Sequence, residues 1–224
     1  MSAATASAAP LTIYYLRHGE NEANVGGMFT FRKIDHDLTA RGREQSREVA
    51  EYLATQPVGP APVFCSPLKR ARQTGGAIAE RLSKPLQVIE ELHELDVGDL
   101  EGQSGPAAIA YWRSVLDDWA AGKRDTRFKG GENHHELTER MRAGFGRLRA
   151  AAEAAGGGPV VLAAHAGLLR VGFRNLAAPV PPVYLEIPNC SVTRVEMGAP
   201  DQPWRLAYWA RADHLTEHTS AEKP

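Results

Sequence analysis

The stretch Thr12–Glu20, TIYYLRHGE, decides how this chain folds. Its first half is a β-branched and aromatic run that is typical of a strand, and the run ends abruptly in a cation, an imidazole and a glycine. Ligands gather at the carboxyl ends of buried parallel strands. Arg17 and His18 therefore place a bidentate anion clamp beside a candidate nucleophile, on a backbone that Gly19 leaves open to a ligand.

Short strands alternate with helical patterns further along the chain. Val63–Cys65, Leu86–Ile89 and Val160–Ala164 are predicted strands, and the segments between them repeat apolar residues at helical spacing. Thr39 is a candidate N-cap for the first long helix, and Ser66, which a proline follows, is a candidate N-cap for the next. This alternation predicts an α/β fold, a three-layer sandwich with a mostly parallel central sheet flanked by helices.

The second half of the chain continues the pattern. Helices are predicted at Pro106–Ala121, at about His135–Ala155 and at Leu168–Leu176. Later strands are predicted at Val192–Val195 and Leu206–Trp209. The chain shows no internal repeat and no clear linker, so one domain is expected.

That domain is expected to span residues 11–213 of the 224. Residues 1–10 are small and polar and are interpreted as a disordered tail, and residues 214–224 as a polar C-terminal tail. The turn-rich and helical passage at about residues 103–135 is expected to form a small helical cap insertion over the site.

Composition argues against several classes of function. The net charge of −1 at pH 7 argues against a general nucleic-acid or membrane surface, so any anion affinity is expected to be local. Two cysteines, Cys65 and Cys190, give no disulfide framework. The N-terminus lacks the pattern of a signal peptide, and no apolar run approaches the roughly 20 residues that span a bilayer. We expect a cytoplasmic protein without nucleic-acid or membrane partners.

Three predicted strand ends carry the residues that suggest chemistry. Arg17 and His18 follow the first strand, Arg70 lies about one turn into the helix after the second, and His165 follows Val160–Ala164. The carboxyl ends of parallel strands share one edge, so these side chains are expected to converge on a site for a doubly charged phosphoryl group. A neutral imidazole is a capable nucleophile for phosphoryl transfer, and this chemistry requires no metal. The residues alone do not decide which histidine attacks, or which carboxylate of residues 90–96 is the acid.

Four motifs resemble those of one family, in the same order along the chain. Leu16–Glu20 is similar to the signature of the histidine phosphatase superfamily, the phosphoglycerate-mutase-like enzymes, and Ser66–Thr74 resembles its second arginine motif. Leu92–Gly102 resembles the segment that carries the family's acid, and Ala164–Gly167 the second histidine motif. The resemblance implies a phosphoglycerate-mutase-like fold and favours the phosphatase branch.

The resemblance also implies roles for individual residues. His18 would be phosphorylated, Arg17, Arg70 and His165 would form the phosphate pocket, and Glu94 would donate a proton to the leaving group. Further phosphate or substrate contacts are implied at Asn24, Thr30 and the backbone amide of Ala166.

Two positions depart from the family's pattern. Asn21 stands where serine or threonine is usual, and Ala166 where glycine is commoner. An alanine methyl is tolerable there only if the backbone φ is negative. Neither change removes a charge or a donor that the chemistry needs, so activity is expected to survive.

Other interpretations compete for several of these residues. Cys65 suggests a cysteine-dependent phosphatase, but its Cys-x5-Arg spacing falls on Ala71, which argues against it. His214 and His218 are spaced to hold a metal but lack a third ligand, so no metal site is assigned. The remaining histidines are expected at the surface, and three tryptophans in core packing: Trp112, Trp119 and Trp204.

The favoured function is a metal-independent phosphomonoesterase that hydrolyses a small phosphorylated metabolite and needs no cofactor. A mutase is the closest alternative, disfavoured because residues 103–133 lack the adjacent arginine pair and proline run of the family's mutases. A phosphate-binding module without catalysis is the third. The partner is expected to be a small-molecule phosphate ester, with its identity open and a homodimer among the possible oligomeric states.

Overall fold

The structure, a computed structural model, describes residues 10–173, 176–178, 185–198 and 203–216. A mixed sheet forms the centre of this part of the chain, with strand order β3-β2-β4-β1-β6-β7-β5. The strands are β1 (Leu11–Arg17), β2 (Val63–Cys65), β3 (Leu86–Val88), β4 (Val160–Ala164), β5 (Ala177–Ala178), β6 (Val192–Met197) and β7 (Trp204–Arg211).

Helices cover both faces of the sheet. The α-helices are α1 (Glu22–Val25), α2 (Ala40–Ala54), α3 (Lys69–Arg81), α4 (Gly105–Ala120) and α5 (His134–Ala154). Shorter helical turns lie at Glu90–Leu92 and Gly98–Leu100, and a π-helical turn lies at Leu168–Gly172.

The parallel half of the sheet positions the site. β4 lies between β1 and β2, pairs in parallel with both, and β3 continues the parallel order on the far side of β2. β6 pairs antiparallel with β1, and β7 antiparallel with β6. The carboxyl ends of β1, β4 and β2 therefore meet at one edge, as the sequence predicts.

Alternation along β1 divides the core into two layers. Ile13 and Tyr15 pack on the side of α4 and α5, whereas Tyr14 and Leu16 pack on the side of α2 and α3. All four are nearly inaccessible to solvent, which explains why this strand is apolar on both faces. The three-layer α/β architecture is confirmed.

Several predicted boundaries agree with the structure, and two features differ. Thr39 caps α2 through its side chain, and β2 and β4 have their predicted bounds. Ser66 does not cap α3, which begins at Lys69 with Leu68 as an N-cap that makes no side-chain bond. Between β1 and α2 the chain also forms the short helix α1, which was not predicted and whose N-cap is Asn21.

The predicted helix at Leu168–Leu176 is described only in part. Leu168–Gly172 forms the π-helical turn, and residues 174–175 lie outside the described ranges. Most of the two predicted tails also lies outside them. Residues 214–216 are described, and Leu215 is buried against the layer that contains α2.

The passage predicted as a cap contains α4 and a loop that returns to the start of α5. Arg127 and Asn133 form an antiparallel bridge in this loop, and Asn133 caps α5. Trp112, Trp119 and Trp204 pack in the core as predicted. Trp112 and Trp119, which belong to α4, lie in the same apolar cluster as the buried residues of α5. No helix in the described residues is long and apolar enough to cross a membrane.

Candidate active site

Two imidazoles face each other where β1 and β4 end. The ring centroids of His18 and His165 are 5.3 Å apart, with 60° between the ring planes. Both rings are buried, with 4% and 0% of their residues' surface exposed. The predicted convergence of strand ends therefore brings together two histidines that are 147 positions apart in sequence (165 − 18).

Hydrogen bonds fix the orientation of the His18 ring. Its Nδ1 lies 2.7 Å from the carbonyl oxygen of Gly19, and its Nε2 accepts from Nε of Arg70 at 3.2 Å. A carbonyl oxygen only accepts, so we assign the proton of the neutral ring to Nδ1. The lone pair on Nε2 is then directed at the guanidinium of Arg70.

His165 is held by the strands around it. Its backbone N–H donates to the hydroxyl of Tyr15, which donates in turn to the carbonyl of His165 at 2.7 Å. Ser66 Oγ accepts from the N–H of Leu68 and lies 2.6 Å from His165 Nε2, and we assign the Ser66 hydroxyl as the donor of this second bond. Burial above all, then the charge of Arg70, holds the pKa of His165 well below its usual value.

His165 is therefore a neutral donor rather than a cation at pH 7. With Nε2 occupied by Ser66, we assign the ring proton to Nδ1. This atom is buried and has no hydrogen-bond partner within the described part of the chain. An unsatisfied buried donor is costly unless a ligand completes it.

Arg17 presents a second unsatisfied donor. Its Nη1 donates to the carbonyl of Ile187 at 2.6 Å, while its buried Nε has no hydrogen-bond partner among the described residues. Burial, and then the charge of Arg170, lowers the pKa of Arg17 to about 10. The guanidinium therefore stays charged at pH 7.

Arg70 is the most deeply buried of the site's cations, with 1% of its surface exposed. Its Nη1 pairs with Asp35 at 3.0 Å, and the other oxygen of Asp35 accepts from the N–H of Lys69 at the start of α3. Burial lowers the pKa of Arg70, an effect that Glu94 and Asp35 oppose. Thr30, a predicted substrate contact, touches this arginine through its carbonyl oxygen at 3.5 Å.

Glu94 lies against the start of the helical turn after β4. One oxygen accepts from the N–H groups of Leu95 and Leu168 at 2.7 and 2.9 Å, and the other from Gly167 at 3.1 Å. The segment after β3 thereby brings a carboxylate to the edge of the sheet that carries His165. Of the acidic residues predicted there, the structure places Glu94 at this edge.

The two residues after His165 make this approach feasible. Ala166 lies in a helical turn and is not among the residues with positive φ, so its methyl group is tolerated. A Cβ on Gly167 would lie 2.6 Å from Glu94 Oε1, so only glycine lets the carboxylate come this close.

Asn24, another predicted contact, is tied to the same edge. Its side-chain oxygen accepts from the N–H of Asn21 at 3.2 Å, in a capping box at the start of α1. The same oxygen accepts from Nδ2 of Asn189, which also donates to the carbonyl of His18. Because its oxygen is used by the protein, Asn24 offers its amide N–H groups to a ligand.

Arg170 adds a third guanidinium near the pocket. It stacks over the ring of Trp112 in α4, with 5.5 Å from Cζ to the ring centroid, and its Nη2 lies 3.3 Å from the carbonyl of Leu185. The positive charge of the site therefore extends towards the predicted cap.

Sequence reasoning missed several residues that support the site. Tyr15 reads simply as a buried strand residue, and nothing local distinguishes Asp35 from Asp37. The sequence offers one indication that Asn189 belongs to the site, because it is a polar residue just before a strand. Arg170 lies within a predicted helix, where its partners are far away in sequence.

Two histidines expected at the surface are instead packed inside. His134 is buried beside Trp119, with ring centroids 5.6 Å apart. His93 is half-buried against Phe31, and its Nδ1 lies 2.9 Å from the carbonyl oxygen of Glu94. Local polarity suggested exposure, but the turn after β3 directs His93 inward.

The half-buried ring of His93 predicts that the protein loses stability in mild acid. Burial, reinforced by the charge of Arg140, lowers the pKa of His93 from 6.5 to about 4. As the pH falls from about 6.5 towards 4, the unfolded chain binds a proton that the folded protein excludes, so the free energy of unfolding decreases. His93→Asn, which keeps a donor near Nδ1, is expected to reduce the loss between pH 7 and pH 5 by about 1–2 kcal/mol.

Urea titrations of both proteins at the two pH values measure this difference. His165 has its pKa shifted in the same direction, mainly by burial and the charge of Arg70, and both of these causes are present in both proteins. An identical loss in the His93→Asn variant would contradict the assignment.

The alternative sites receive no support from their geometry. Burial raises the pKa of Cys65 to about 12, which leaves its thiol protonated and unreactive. His214 stacks on Tyr52, with ring centroids 4.6 Å apart, and His218 lies outside the described residues. Within the described ranges, no group of three or more histidine, cysteine, aspartate or glutamate side chains could hold a metal ion.

The fold and the site together define an α/β protein with a cluster of buried histidine and arginine side chains at the carboxyl edge of its parallel strands. The model of the histidine phosphatase superfamily, branch 1, matches residues 13–211. The chain belongs to this family, and the resemblance read from the four motifs is confirmed.

Named relatives fall into two groups. A probable phosphoglycerate mutase, GpmB, of Klebsiella pneumoniae is 31% identical over 206 residues, which cover 89% of this chain and 90% of that protein. A glucosyl-3-phosphoglycerate phosphatase of Mycolicibacterium vanbaalenii is 34% identical over 171 residues, which cover 69% of this chain and 68% of that protein. The solved structure of a mycobacterial glucosyl-3-phosphoglycerate phosphatase in complex with VO3 matches with a TM-score of 0.69 and 28% identity, covering 92% of this chain and all of that one (100%).

Proposed function

We propose that the chain is a phosphomonoesterase that works through a phosphohistidine at His18. The observation that carries the proposal is the position of His18 Nε2, 3.2 Å from Nε of Arg70, in a ring 5.3 Å from that of His165. A tetrahedral oxyanion between these groups meets a nucleophilic lone pair on one side and hydrogen-bond donors on the others.

The first step transfers the phosphoryl group to the protein. Arg70 Nε transfers its hydrogen bond from His18 Nε2 to a phosphate oxygen, which frees the lone pair that attacks phosphorus. The P–O bond to the ester oxygen breaks, and the leaving oxygen takes the proton of a protonated Glu94. Arg17 and Arg70 hold the equatorial oxygens, where charge spreads in the transition state. The Nδ1–H of His18 remains directed at the Gly19 carbonyl, which stabilises the positive ring that forms.

The second step returns the group to water. Glu94, now a carboxylate, takes a proton from a water molecule whose oxygen attacks phosphorus. The N–P bond breaks, inorganic phosphate is released, and His18 regains its lone pair on Nε2. Each residue thus ends the cycle in its starting protonation state.

The unsatisfied donors of the free protein support an anionic ligand. Nε of Arg17 and Nδ1 of His165 are both buried without a hydrogen-bond partner in the described part of the chain. Two phosphate oxygens would accept hydrogen bonds from these groups. Without such acceptors, the buried donors lower the stability of the folded protein. The complex of a relative with VO3 is consistent with oxyanion binding in this family.

The substrate class we propose is a small phosphorylated metabolite with further polar or acidic groups. Three guanidiniums at or near the pocket suit such a substrate: Arg17, Arg70 and Arg170. The relative named as a glucosyl-3-phosphoglycerate phosphatase favours hydrolysis of a phosphorylated acid or sugar.

A phosphoglycerate-type mutase is the second candidate. It is favoured by the relatives named as probable phosphoglycerate mutases, which match most of the chain. The same phosphohistidine would then return its phosphoryl group to a second hydroxyl instead of to water. The difference between the two functions lies in what attacks the intermediate.

A product assay separates these candidates. The protein is incubated with a panel of phosphate esters, and separately with 3-phosphoglycerate and a bisphosphoglycerate primer, in EDTA. We expect inorganic phosphate from at least one ester and no 2-phosphoglycerate. Isomerisation without phosphate release would establish the mutase, and saturable phosphate binding with no turnover on any ester would establish a binding module.

A further inference from the structure

We propose that Arg140 is a positioning residue for the acid, holding the backbone of Glu94 so that its carboxyl reaches the leaving group. The inference rests on the proposed function and deepens it. Arg140 lies in α5, with 14% of its side chain exposed.

One guanidinium contacts three backbone carbonyl groups of the acid segment. Nη1 donates to the carbonyl oxygens of Glu91 and His93 at 2.6 and 3.0 Å, and Nη2 lies 3.4 Å from that of Glu94. These carbonyls belong to the helical turn Glu90–Leu92 and to the two residues that follow it. The planar guanidinium of Arg140 therefore holds the position of the backbone that carries the Glu94 side chain.

A buried carboxylate completes the clamp. Glu132 accepts from Nε and Nη2 of Arg140 at 3.1 and 2.6 Å. The same carboxylate accepts from the N–H of Asp96, whose carbonyl accepts from the N–H of Glu132. The acid segment is thus tied at Glu91, His93 and Asp96 to one ion pair between α5 and the end of the predicted cap.

This support is needed because Glu94 has to serve in two protonation states. Its oxygens accept from backbone N–H groups at the start of the turn after β4, so the carboxyl must keep its place while it gives and regains a proton. A displacement of about 1 Å can cost as much as 10²-fold in rate. Arg140 sets that position without touching the substrate.

The test compares two esters that differ in their need for an acid. The leaving phenol of phenyl phosphate has a pKa of about 10 and requires a proton, whereas p-nitrophenol is far more acidic and leaves as the anion. Arg140→Lys keeps the charge but cannot make all five contacts. We expect kcat/KM to fall roughly tenfold or more for phenyl phosphate and less than about twofold for p-nitrophenyl phosphate.

Two further variants calibrate the result. Glu94→Gln removes the acid directly and is expected to show the same discrimination more strongly. Arg147→Lys is the matched control, because Arg147 lies on the same helix and pairs with the Glu91 side chain at 2.8 Å while 70% exposed. It is expected to leave both rates unchanged.

An equal fall for both esters in Arg140→Lys, or no fall for either, would overturn the inference. If circular dichroism shows that Arg140→Lys does not fold, Glu132→Gln takes its place. A larger fall in kcat/KM for phenyl phosphate than for p-nitrophenyl phosphate would then support the inference, and an equal effect on both esters would refute it. Absence of discrimination in Glu94→Gln would instead refute the acid assignment in the proposed function, so the two failures are distinguishable.

Discussion

His18→Ala is expected to lower turnover of any substrate ester by roughly four to six orders of magnitude, because it removes the atom that forms the covalent intermediate. The ring is buried and its Nε2 faces Arg70, so no neighbouring group can substitute for it. His165 cannot take over, since its Nε2 is engaged by Ser66. The measurement is steady-state phosphate release, with the variant's fold checked by circular dichroism.

Cys65→Ser provides the matched control for this loss. Cys65 is a buried residue at the same sheet edge, and burial holds its thiol protonated. The variant is expected to keep near-normal turnover. Full activity in His18→Ala, or complete loss in Cys65→Ser, would contradict the account and revive a cysteine-dependent mechanism.

Arg70→Lys is expected to lower kcat/KM by about 10²–10³-fold, the usual cost of losing one oriented donor to a transition-state oxyanion. A lysine keeps the charge, but its single ammonium cannot contact both His18 Nε2 and Asp35, as the guanidinium does at 3.2 and 3.0 Å. Inhibition by inorganic phosphate is expected to weaken in parallel, because the same donors bind the product.

Arg72→Lys is the control for that prediction. Arg72 lies two positions further along α3 and is exposed, so its replacement is expected to change neither kcat/KM nor phosphate inhibition. If Arg70→Lys behaved like Arg72→Lys, Arg70 would be a structural cation and the proposed pocket would be wrong.

The sequence specifies the sheet edge well because short apolar runs and abrupt strand ends are local signals. The strands predicted at TIYYL, VFC and VVLAA have the right bounds to within a residue, and their parallel order follows from the helices between them. His18, Arg70 and His165 converge for that reason.

The supporting residues are not predictable in the same way, because their partners are distant in sequence. Arg140 acts on carbonyls 46 to 49 positions earlier, and Tyr15 binds a residue 150 positions later. Ser66 illustrates the same limit. Its place before a proline predicts a helix cap, but tertiary packing directs its hydroxyl to His165 instead.

Identification of the phosphorylated atom tests the central claim most directly. The protein is mixed with a phosphoryl-labelled ester, quenched in alkali within the first turnover, digested and mapped by mass spectrometry against synthetic phosphohistidine isomers. The account predicts an acid-labile phosphate on His18, attached to Nε2 because Nδ1 is bound to the Gly19 carbonyl. Phosphate on His165, or an acid-stable ester on Ser66, would contradict it.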